Sequence, residues 1–96
     1  MGPTTGASLD GEITVHLWAA AKAAAGTGLV LVATPGPISL AAVVDRVVEG
    51  RPERLVAVLA GCAVLVGDRP VSTQDPAEVL VGPGDTVEFL PPFAGG

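Results

Sequence analysis

The clearest alternation of apolar and polar positions is Ile13-Thr14-Val15-His16-Leu17-Trp18. Ile13, Val15 and Leu17 fall on one face, and Thr14, His16 and Trp18 on the other, a period of two that predicts a strand. Ala19 to Ala25 is alanine-rich and followed by Gly26, which predicts a short helical turn stopped by glycine. The run Leu29-Val30-Leu31-Val32 predicts a second strand, antiparallel to the first and closed by Thr34-Pro35-Gly36-Pro37. The period then changes. Ser39 is a good N-cap, and Leu40, Val43, Val44, Val47 and Val48 recur at the spacing of one helix face, with Gly50 as the stop. Four valines lower the intrinsic propensity of that helix, so packing must hold it. Pro52 to Ala60 reads as a second short helix ended by Gly61. Ala63 to Val66 reads as a strand, with Gly67-Asp68 a turn and Arg69-Pro70-Val71 extended beyond it. Ser72 to Glu78 is polar loop, Val79-Leu80-Val81 a brief apolar segment, and Gly82-Pro83-Gly84-Asp85 another turn. Thr86 to Leu90 is the last strand.

This order, β-β-α-β-β with small extra helices, predicts an α+β fold: a mixed four- to five-stranded sheet with one main helix packed on one face. The other face must meet solvent or a partner. The alternations place Trp18 and Leu90 on that open face, together with Thr14, His16 and Glu88. Trp18 is then either an interface anchor or a side chain tucked under a loop.

The length of 96 residues suits one domain. Residues 1–11 read as a flexible lead-in, 12–90 as the domain and 91–96 as an extended tail. Ten acidic against five basic side chains give a net charge of −5. That argues against nucleic-acid or anionic-membrane partners and suits a partner with a basic surface. No apolar run is long enough to span a membrane. The segment before Gly11 lacks the pattern of a secretory signal, so a cytoplasmic location is expected. The single cysteine, Cys62, cannot form an internal disulfide and sits in an apolar run, where a thiol behaves as a small hydrophobe. No Cys or His pair has metal-ligand spacing, and no glycine loop opens a helix after a strand. Pro83 makes Gly82-Pro83-Gly84 a poor phosphate cradle. His16 has no nucleophile in any recognisable motif beside it. The chain is therefore expected to be no enzyme, with no metal or cofactor bound by itself.

The end of the chain, Leu90-Pro91-Pro92-Phe93-Ala94-Gly95-Gly96, is the remaining candidate for chemistry. Pro91 and Pro92 stiffen a stem, and Gly95 and Gly96 make a thin tip that carries the α-carboxylate. The plain alternative is a frayed terminus. Ile13 to Ala19 with Lys22 after it, then Gly84-Asp85-Thr86-Val87-Glu88-Phe89-Leu90-Pro91-Pro92, then Phe93-Ala94-Gly95-Gly96, together resemble the ubiquitin-like sulfur carriers. Among these, the chain is most similar to molybdopterin synthase small subunits.

The resemblance implies a β-grasp fold and a role as sulfur carrier in molybdenum cofactor synthesis. It implies that an E1-like activating enzyme adenylates Gly96 with ATP, and that a sulfur donor leaves a thiocarboxylate there. The partners implied are that enzyme and the molybdopterin synthase large subunit. Pro91, Pro92, Phe93, Ala94 and Gly95 match the threading tail, and Trp18 and Leu90 match partner-contacting positions. The chain departs from the family pattern at Gly67, often Asn there, and around Phe93 and Ala94. Alternatives are a carrier for thiamine, cysteine or another thiolated product, a covalent protein modifier, and a plain β-grasp binding module.

Overall fold

The structure is a computed structural model, and it describes residues 11–91. Ten elements follow one another. Strand β1 (Gly11–Leu17) leads into helix α1 (Ala19–Ala25), strand β2 (Leu29–Thr34) and the two-residue strand β3 (Ile38–Ser39). Helices α2 (Leu40–Val48) and α3 (Arg54–Ala60) come next. Strands β4 (Ala63–Val66), β5 (Arg69–Pro70), β6 (Leu80–Val81) and β7 (Thr86–Leu90) complete the chain. The main sheet has the order β2-β1-β7-β4-β5, and β3 pairs with β6 in a separate two-stranded sheet. First and last strands lie side by side and parallel, Val15 level with Val87 and Leu17 with Phe89, while β2 and β4 flank them antiparallel. The sheet is mixed and the class is α+β, as expected.

Alternation decides which residues enter the core. Ile13, Val15 and Leu17 of β1, Val32 of β2, and Val87 and Phe89 of β7 are buried. They meet Leu40, Val43 and Val47 of α2 and Leu55 and Leu59 of α3 in one apolar cluster. Helix α2 forms as its valine spacing predicts, with the Ser39 hydroxyl accepting from the Ala42 N–H at 3.0 Å. Its end is held by Arg51, whose Nη1 donates to the Val47 carbonyl at 2.9 Å. Gly26 ends α1 at φ 80°, donating its N–H to Lys22.

Two features differ from the sequence reading. Ile38 and Ser39 form strand β3, and its partner β6 lies in the segment read only as brief and apolar. Two residues have no detectable period, so the pairing is a tertiary event that the pattern cannot carry. Strand β1 also starts at Gly11, a position read as lead-in. A Cβ at Gly11 would run into the side chain of Pro83, so glycine lets β1 pass the 82–85 turn closely. That turn is tied back to β1: the Gly84 N–H donates to the Glu12 carbonyl, and the Thr14 N–H to that of Asp85.

Candidate functional site

Strand β7 sits in the middle of the sheet and delivers the chain to Pro91, the last described residue. Its inward residues are the fully buried Val87 and Phe89, so Thr86, Glu88 and Leu90 face outward. The parallel register with β1 pairs His16 with Glu88 and Leu17 with Phe89. Continued by one residue it sets Trp18 level with Leu90, and the Trp18 N–H donates to the Phe89 carbonyl at 3.2 Å. On the other side Ala63 pairs with Leu90, and Leu65 with Glu88. The root of the tail is therefore flanked by Trp18, Leu90, Ala63 and Leu65 on one open face.

Trp18 is 47% exposed. Of the two sequence readings, the tucked-away side chain is wrong for this position. Its ring stacks on His16, with centroids 6.3 Å apart and planes 27° from parallel. Immediately after it the chain turns sharply: Ala19 has φ 50°, a left-handed conformation unusual for a residue with a Cβ. That turn ends the strand and starts α1, while the exposed indole stays stacked on His16 on the outward face. Helix α1 then buries Ala21 and Ala24 and exposes Lys22.

The open face is wider than the alternation of β1 and β7 alone suggests. Strand β2 pairs with β1 so that Leu29 lies beside His16 and Leu31 beside Thr14. Both leucines are exposed, at 48% and 52%. The sequence reading did not assign them a face. The run Leu29-Val30-Leu31-Val32 is apolar throughout, so only its pairing register separates outward leucines from inward valines.

The opposite, helix-covered side has an open groove of about 340 Å³ lined largely by apolar residues, among them Leu40, Val44, Val56, Leu59 and Phe89. Cys62 also lines it. Its Sγ–H donates to the Val58 carbonyl at 3.3 Å, and burial pushes its pKa up. A thiol held neutral in this way is a weak nucleophile, which agrees with the reading of Cys62 as a small hydrophobe. Among the described residues, no three His, Cys, Asp or Glu side chains come together as a metal site would require. His16 has the Trp18 ring as its stacking partner. No helix of the described residues is long and apolar enough to cross a membrane. The expected tail positions Pro92, Phe93, Ala94, Gly95 and Gly96 lie outside the described residues.

Comparison with known proteins agrees with this geometry. The family model described as the ThiS family matches residues 15–96. A molybdopterin synthase sulfur carrier subunit from Aspergillus niger is 32% identical over 82 residues, spanning 85% of this chain and 91% of the relative. Two solved structures share the fold at low identity. The small archaeal modifier protein 1 from Methanosarcina acetivorans superposes with a TM-score of 0.70 at 21% identity, covering 91% of this chain and 98% of its own. Urm1 from Trypanosoma brucei gives 0.68 at 19% identity, with both chains covered in full. The parallel pairing of first and last strands, the open face beside Leu90 and a match running to residue 96 lead to one assignment: this chain belongs to the ThiS family, the ubiquitin-like sulfur carriers of β-grasp fold.

Proposed function

We propose that the protein is the sulfur carrier subunit of a molybdopterin synthase and that Gly96 is its loading point. The observation that carries this reading is a family match that takes in Gly95 and Gly96, at the end of a chain leaving the sheet beside an exposed Trp18. The name of the Aspergillus relative supports the pathway.

The chemistry follows from the weakness of a carboxylate as an electrophile. An activating enzyme uses ATP: a carboxylate oxygen of Gly96 attacks the α-phosphorus, pyrophosphate leaves, and an acyl-adenylate remains. Sulfide-level sulfur (hydrosulfide) then attacks the acyl carbon, AMP leaves with the electron pair of the broken C–O bond, and loss of the thiol proton leaves a thiocarboxylate. The tail delivers this sulfur inside the large subunit: the thiocarboxylate sulfur bonds to a carbon of the pterin precursor and displaces an oxygen leaving group. Water then attacks the acyl carbon, the terminal C–S bond breaks, and sulfur stays on the precursor while the Gly96 carboxylate is restored. From Leu90, six residues extend at most roughly 20 Å, enough to reach a buried site from a surface docking position. Glycines at the tip fit a narrow channel, and consecutive prolines reduce the entropy lost on threading it. Trp18 and Leu90 serve as docking anchors, since a large aromatic side chain in an open apolar face is the kind of residue that dominates interface energies. The domain thus works as a carrier, and the partners hold the ATP and pterin sites.

A sulfur-transfer assay tests the pathway. Thiocarboxylated protein mixed with a molybdopterin synthase large subunit and its pterin precursor should yield dithiolene product in proportion to the carrier added. Transfer to a thiazole precursor with its synthase, and none to the pterin, would move the protein to the thiamine branch.

A further inference from the structure

The two edges of the main sheet are protected differently. Strand β5 is only two residues long and ends in Pro70, which has no N–H to offer, so that edge is blunt. Strand β2 is six residues long, Leu29-Val30-Leu31-Val32-Ala33-Thr34, with no charge and no proline. Such a strand at a sheet edge invites a further strand.

The direction of its backbone groups follows from the register. The Leu17 N–H donates to the Gly28 carbonyl, and the pairs Val15–Val30, Ile13–Val32 and Gly11–Thr34 continue at two-residue intervals. The even-numbered residues of β2 therefore face β1, and Leu29, Leu31 and Ala33 turn their N–H and C=O groups outward. Most of these outward groups are already engaged. The Thr27 hydroxyl accepts from the Leu29 N–H at 3.2 Å and donates to the Leu29 carbonyl at 3.1 Å. Arg46, reaching across from α2, donates from Nη2 to the Ala33 carbonyl at 3.2 Å. What remains open along the edge is the N–H and C=O of Leu31 and the N–H of Ala33.

We propose that Thr27 and Arg46 guard the β2 edge against a second copy of this chain, which would otherwise add there as an antiparallel strand centred on Leu31. A second copy fits because the edge is self-complementary about Leu31. Its N–H and C=O would exchange bonds with those of Leu31 in the other copy, and Leu29 would pair with Ala33 on each side. Leu29 and Leu31 of both copies would then share one face and cover each other. With the guards in place, only the central pair is free, and each of the four flanking bonds has at least one end already engaged. The arrangement keeps an apolar strand on the open face without letting copies of the protein pair through it.

The test compares the full-length protein with the double variant Thr27→Ala, Arg46→Ala, and with the same variant carrying Leu31→Lys. Sedimentation gives the mass, circular dichroism the fold, and hydrogen exchange the protection of the Leu31 amide. The wild type should sediment as a monomer with a fast-exchanging Leu31 amide. The double variant should shift to twice the monomer mass or above and slow exchange at Leu31. Leu31→Lys should restore the monomer. Thr27→Ala alone, a change in a short turn that leaves the core untouched, should already slow Leu31 exchange at high concentration. A folded double variant that stays monomeric overturns the proposal. So does association that Leu31→Lys leaves intact, or a Leu31 amide already protected in the wild-type monomer.

Discussion

Ala19 and Trp18 show how one backbone angle serves a surface. A left-handed φ costs a residue with a Cβ roughly 1–2 kcal/mol, and Ala19 holds φ 50° at the junction of β1 and α1. Ala19→Gly removes the Cβ clash but widens the unfolded ensemble, a cost of up to about 1 kcal/mol. The net expectation is a small rise in melting temperature, read by calorimetry; a clear fall would show that Ala19 is not strained. Trp18→Ala should leave stability within about 0.5 kcal/mol, as for exposed substitutions generally, while weakening capture by the large subunit in a pulldown. An equal loss of both fold and capture would remove Trp18 from the docking role. Cys62 adds a pH expectation. Because burial raises its pKa in the folded state, the unfolded chain loses that proton first as pH rises. Any stability it lends is intact at neutral pH and falls as pH climbs through and above the ordinary thiol range. Alkylation of native protein at neutral pH should be slower than that of an unfolded control.

At the scale of elements, β7 bears most weight, lying between β1 and β4 with Val87 and Phe89 fully buried. Phe89→Ala should cost about 3–5 kcal/mol by cavity formation, measured by urea unfolding, and a loss below about 1 kcal/mol would contradict the packing described. Strand β7 was legible in the sequence because Thr86 to Leu90 alternates cleanly and ends at prolines. Helix α2 was legible for a similar reason, its valines keeping a helical period after a Ser39 cap. Strands β3 and β6 were not, since two residues carry no period and their pairing depends on contacts remote in sequence. The outward faces of Leu29 and Leu31 were hidden for another reason. An all-apolar strand has no polar side, so its orientation is set by the β1 register alone. Trp18 and Leu90 could be placed on the open face because the run Ile13 to Trp18 and strand β7 do alternate.

For the whole molecule, the fold separates two duties. The core is built from Ile13 through Phe89 and belongs to the domain. The proposed chemistry belongs to residues beyond it. Deleting Gly95 and Gly96 should therefore leave the melting temperature unchanged while abolishing sulfur loading; a substantial thermal shift would mean that the tail contributes to the fold. The acidic balance, −5 for the chain, suits a partner with a basic docking surface and predicts weaker association as salt increases. The most direct measurement is the intact mass of the protein co-expressed with an active activating enzyme and a sulfur source. The expected species has one oxygen replaced by one sulfur, located at Gly96 by fragmentation and missing when Gly96 is deleted. An unmodified Gly96 in the presence of a partner shown to adenylate other carriers would contradict it.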